Sequence, residues 1–200
     1  MIIGNWPRHV GSQSNDGIYK TPTQLATDGL DNNAGRPVRW GLLVSDDEPS
    51  FRWFKLGLVH QDEYLEDDLG ELHDDIQNSD EFKKAVALRE RHRASATSLT
   101  TAYLKALWNH VLKEVASRLK IPEDLVRQSE LHVAIGTPAN SKSGTVNILR
   151  RAAKNAGIPG HRHPRSKLYV CTEPEAAAIA LVEHRQVSQD LTVRWSASLP

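Results

Sequence analysis

Cysteine is nearly missing from this chain: Cys171 stands alone, so no disulfide can form within it. Such sparing use suits a reducing compartment. An excess of one charge is missing too, because 25 Lys and Arg balance 25 Asp and Glu. Net charge therefore recruits neither nucleic acid nor an acidic membrane. No apolar run approaches the ~20 residues that a membrane-spanning helix needs. Residues 1–11 lack the long apolar core of a secretory signal. A cytoplasmic or nuclear protein is expected, with no nucleic-acid or membrane partner. No internal repeat or long low-complexity segment occurs. The serine-hydrolase elbow Gly-x-Ser-x-Gly is absent, and Gly136-Thr137-Pro138 is not a phosphate-binding P-loop.

What remains is an ordinary globular composition. The chain has 200 residues, 25% of them charged. That length suits one domain or two small lobes and can bury a real core. Residues 1–30 carry Trp6-Pro7, Pro22 and scattered glycines, which predict short extended pieces and turns. Strands are expected at 39–44 and in the aromatic-rich segment 51–59, with an acidic turn at 45–49 between them. Residues 62–81 are dense in Asp and Glu and read as a solvated connection with a short helix.

The clearest helix is expected over 98–120. Leu99, Tyr103, Leu107, Val111 and Val115 recur every four residues, which predicts an apolar face on one side. Ile121-Pro122 ends it, and a short helix is expected over 122–128, since proline is tolerated in a first turn.

Leu131, Val133 and Ile135 alternate with His132 and Ala134, the period of a strand. A helix over 140–157 follows, with Ser141 or Ser143 as its cap and Arg150, Arg151 and Lys154 near its C-terminal end. Gly157 is a natural left-handed stop. A second strand is expected at 168–171. Thr172 and Glu175 then form the pattern of a capping box, with Pro174 in the first turn of a helix over 172–184. Strand, helix, strand, helix argues for α/β architecture.

Several of these segments resemble the seventy-kilodalton heat-shock chaperone family. The spacing from Pro138 to Gly157 matches that family's proline-to-Ala-Gly span, and Ala156-Gly157-Ile158 stands where it has Ala-Gly and an aliphatic residue. Glu173-Pro174-Glu175-Ala176-Ala177-Ala178 looks like its Glu-Pro-x-Ala-Ala-Ala segment. Asn5-Trp6-Pro7, Pro22-Thr23, Arg39-Trp40-Gly41 and Trp53-Phe54-Lys55-Leu56 look like the divergent branch common in fungi. The resemblance implies part of an actin-like, ribonuclease H-like ATPase lobe with a smaller α+β subdomain inserted. The N-terminal part of the lobe would span 1–27, the inserted subdomain 28–97, the main α/β part 98–185 and a divergent tail 186–200. ATP, magnesium and ATP-driven protein folding are implied from complete relatives. Pro138 matches the hinge proline, and Glu173 matches a carboxylate near the magnesium and phosphate waters. Read from the residues alone, Pro138 is a strand terminator and Glu173 a first-turn carboxylate that favours its helix dipole.

The chain departs from the family where phosphate is held. The family's opening Asp-x-Gly-Thr hairpin has no counterpart, and residues 186–200 contain no glycine where Asp-x-Gly-Gly-Gly-Thr is expected. Phosphate cradles need the backbone freedom that glycine supplies. Asn140 replaces the aromatic residue after the Pro-Ala corner, and Val146 replaces a basic switch residue. The expectation is a truncated lobe that does not hydrolyse ATP alone. Two alternatives stay open: a nucleotide-independent module that engages proteins through strand edges or Trp53-Phe54, and a piece of a longer ATPase. Other chemistry is thin. His161 and His163 fall short of the four ligands of a structural zinc site. Cys171 at a strand end is either a thiol nucleophile or a small apolar residue. The donors of residues 140–145 either bind an anion or cap their helix.

Overall fold

The computed structural model describes residues 6–7, 21–29, 38–55, 58, 78–137, 143–160 and 163–181. The architecture is mixed α/β. Two short antiparallel strands, β1 (Leu25–Ala26) and β2 (Ser50–Phe51), form one ladder. Helices α1 (Asp80–Arg91), α2 (Ala96–Leu119) and α3 (Glu123–Gln128) follow. Then come β3 (His132–Thr137), α4 (Ser143–Asn155) and β4 (Lys167–Thr172), with a last helix, α5, over residues 173–181. No helix among the described residues is long and apolar enough to cross a membrane.

Helix α2 is the spine. Leu99 and Tyr103 join Leu25, Trp40, Phe51 and Phe54 in the largest core cluster. Leu112 and Ala116 pack on Val126 of α3. Leu104 and Trp108 meet Ala153, Ala156 and Ile158, which also take Val133, Ile135 and Leu168 of the sheet. Leu104, Trp108 and Leu112 thus widen the apolar stripe beyond the four-residue set of Leu99 to Val115, and several elements share it. Each large side chain fully buried here contributes ~1.5–3 kcal/mol.

Helix ends follow local rules. Ser79 caps α1 by accepting from the Phe82 amide (3.3 Å), and Ser95 caps α2 by accepting from Ser98 (3.0 Å). The C-termini of α1, α2 and α4 all close with paired bonds from a left-handed residue and its successor. At α4, Gly157 N–H donates to Lys154 O (2.9 Å) and Ile158 N–H to Ala153 O (3.0 Å). At α2 the left-handed residue is Lys120, and at α1 it is Arg93. The glycine stop at 157 is as expected. Helix α4 starts at Ser143, which places that serine inside the helix rather than at its cap; Ser141 lies outside the described residues.

The expected strand at 39–44 does not form. Trp40 makes a single bridge to Leu25, and Gly41–Leu43 turns as a 3-10 helix. Gly41 is the cause: its φ is +56, and a Cβ there would collide with Thr21 Oγ1. The segment after Ser50 is extended only through Phe51, because Trp53 (φ 59) reverses the chain. That reversal buries both Phe51 and Phe54 and leaves Trp53 46% exposed. Helix α1 runs well past the acidic stretch where a short helix was expected. Its Asp80 and Glu81 sit at the N-terminus and Arg89 and Arg91 at the C-terminus, the arrangement the helix dipole favours.

Candidate functional site

Strands β3 and β4 are parallel and fully in register, from His132↔Lys167 to Thr137↔Thr172. Their carboxyl ends therefore lie level, the place where open α/β sheets bind ligands. One face is closed by α2 and α4 through Val133, Ile135 and Leu168. On the other, His132, Ala134, Lys167 and Tyr169 are exposed. Parallel sheets are normally covered on both faces.

The strand ends are tied together. Thr137 is 2% exposed, and its hydroxyl donates to Cys171 O at 3.3 Å. Thr172 and Glu175 form the capping box that the sequence predicts. The Glu175 carboxylate accepts from Thr172 N–H (2.8 Å) and Oγ1 (2.9 Å), and Glu175 N–H donates to Thr172 Oγ1 (3.3 Å). These bonds, the backbone one foremost, hold the Glu175 carboxyl below the usual carboxylate range. Pro174 fits beside them because a first-turn amide has no helical partner to lose.

Glu173 opens α5 just beyond β4 and lies against Gly136. A Cβ on Gly136 would meet Glu173 Cγ at 3.6 Å, an ordinary van der Waals contact. An isolated glycine in a strand signals such a close approach, and this pairing was readable only in that weak form. Pro138, Asn140 and His161 lie outside the described residues. Val146, where a basic residue was looked for, is half-buried in the first turns of α4. His163 Nδ1 accepts from the Arg165 amide (3.3 Å), which explains it as a turn residue. Cys171 is half-buried beside Thr137.

Magnesium triphosphate needs several oxygen donors and cationic or amide partners for phosphate. At this end of the sheet the described side chains do not make that set. Thr137 and Thr172 spend their hydroxyls on Cys171 and Glu175, and Glu175 spends one carboxylate oxygen on Thr172, which leaves Glu173 and the other oxygen of Glu175. Compared with known protein families, curated proteins and solved structures, the chain gives no match.

A cavity of about 850 Å³ lies elsewhere, lined by residues 22–24, the segment around β2 and α1, and no sequence motif marks it. Trp53, Lys55 and Lys84 line it, with Pro22, Gln24 and Leu88.

Proposed function

We propose that this chain is a lobe of the actin-like, ribonuclease H-like fold related to the seventy-kilodalton heat-shock chaperone ATPases, and that it does not hydrolyse ATP by itself. One observation carries the reading: Glu173 stands at the first turn after β4, over Gly136, where two parallel strands end level. The order β3, α4, β4, α5 supports it, as do the Ala-Gly stop after α4 and the Glu-Pro corner after β4. In complete relatives ATP and magnesium drive protein folding. Among the described residues the carboxylates at this end of the sheet, Glu173 and Glu175, cannot hold a triphosphate by themselves, so turnover is not expected.

The test is calorimetric titration of the folded chain with magnesium ATP, beside a phosphate-release assay. Expected is no turnover. Turnover abolished by Glu173→Ala would overturn the inactive reading. Saturable binding lost in Glu173→Ala would support a nucleotide-holding lobe. No binding by a folded chain would favour a second reading, a module that engages protein without nucleotide. The open side of the sheet favours that second reading: Tyr169 is 46% exposed, and Ile179 and Leu181 of α5 are 59% and 64% exposed. A specific complex that persists without nucleotide would support it.

A further inference from the structure

The cavity beside Trp53 has no part in the sheet-end site. Its volume, about 850 Å³, falls within the range of small-molecule sites. One wall is residues 22–24, which are held rigidly. Gln24 is 5% exposed, and its amide donates to Gly41 O (3.0 Å) and Val44 O (3.4 Å). Pro22 O accepts from the Tyr103 hydroxyl of α2 (3.2 Å). The opposite wall is α1, with Glu81, Lys84 and Leu88. Trp53 stands between them.

The fold requires a chain reversal at residue 53 but not a tryptophan. A φ of 59 sends Phe51 and Phe54 into the core at 0% and 1% exposure. Glycine would make that turn without strain, whereas a large L-residue there is costly. The residue that occupies it instead leaves its ring 46% exposed at the cavity edge. Backbone strain of this kind clusters at active sites and ligand clamps.

Charge defines the occupant. Six charged residues line the cavity. Glu48 is engaged by Arg39 (2.8 Å) and the Ser45 amide (2.7 Å), and Asp46 faces Arg52 at 3.8 Å. Glu81 lies in the first turn of α1, where the helix dipole favours its charge. Among the described residues neither Lys55 nor Lys84 has an ion-pair or hydrogen-bond partner. Two ammonium groups and the single carboxylate of Glu81, none of them in an ion pair among the described residues, thus share the cavity with a half-exposed indole, which leaves a net positive charge there.

We propose that this cavity binds a small organic anion with a flat apolar body, the body stacked on Trp53 and the acid group held by Lys55 and Lys84. The probes are naphthalene-1-sulfonate and, as its cationic counterpart, 1-naphthylmethylammonium, each titrated calorimetrically into the full chain. Expected is saturable binding of one sulfonate per chain and none of the ammonium. The double variant Lys55→Gln, Lys84→Gln should weaken the sulfonate by about tenfold or more. Trp53→Gly should lose binding while raising the urea midpoint, which separates a platform from a structural residue. Equal binding of the two probes, no saturable sulfonate binding, or full affinity in Trp53→Gly would overturn the proposal. Should Trp53→Gly fail to fold, unchanged affinity in the lysine variant, whose two positions are exposed, would overturn it alone.

Discussion

Adding one methyl group at residue 41 should destabilise the protein by about 2–4 kcal/mol, for two separable reasons. The first is backbone strain. Gly41 sits at φ +56, a conformation that costs an L-residue ~1–2 kcal/mol, of which the stiffer unfolded chain returns ~0.4–1 kcal/mol. The second is overlap: the new Cβ would press on Thr21 Oγ1, with Thr21 Cβ at 3.5 Å and Pro22 O at 3.7 Å behind it. Overpacking of this kind costs ~1–3 kcal/mol. Thr21 offers the control, because its hydroxyl is buried without a partner, so Thr21→Ala removes no hydrogen bond. In the Thr21→Ala background Gly41→Ala should keep only its backbone cost, ~1 kcal/mol. The double-mutant cycle should therefore show a coupling of ~1–3 kcal/mol. Urea unfolding followed by tryptophan fluorescence reads this directly, since Trp40 adjoins Gly41 and is 4% exposed. With a slope of ~2–3 kcal/mol per molar urea, Gly41→Ala alone should lower the midpoint by ~1 M. Additive costs, with no coupling, would refute the reasoning: Thr21 would then be moving aside freely and the overlap would be no constraint.

Three further outcomes are expected. Leu99→Ala, at a position 0% exposed between α2 and the Phe51–Phe54 core, should cost ~3–4 kcal/mol in urea unfolding. Arg39→Met removes the guanidinium that bonds Glu48 (2.8 Å) and Asp28 (2.9 Å) and should cost ~1 kcal/mol near neutral pH. The Arg39 hydrogen bond is the main cause holding the Glu48 carboxyl below its usual range. That stability is present above the unfolded value of ~4.3 and is lost as pH falls through the lower folded value, so the two proteins should converge in acid melts once the pH lies below that folded value. Thr172→Ala should speed amide exchange at Glu175, whose N–H donates to the lost hydroxyl (3.3 Å), without shifting exchange in α2.

The sequence was most legible where a structural decision is local. The ends of α2, the short helix after Pro122, the Gly157 stop and the Thr172–Glu175 box each rest on residues within one or two turns of one another. Alternation likewise placed β3. The four-residue spacing in α2 was legible as a helix but not as a spine, because periodicity counts apolar residues and does not say which elements surround them. The N-terminal half was least legible. Residues 39–44 look like a strand, yet Thr21, twenty positions before Gly41, meets it and fixes the turn. Trp53 and Phe54 are neighbours of like chemistry, and no local rule says which enters the core.

The candidate site divides in the same way. The Glu173 corner and the Thr172–Glu175 box around it were set by adjacent residues, while the seat of Glu173 over Gly136, thirty-seven positions earlier, exists only because β3 and β4 pair in register. The cavity at Trp53 is wholly tertiary, enclosed by residues 22–24, 46–55 and α1. Caps, turns and period are properties of a short stretch of chain, so the amino-acid order determined them. Burial, open faces and converging charges depend on segments distant in the chain, so only packing decided them.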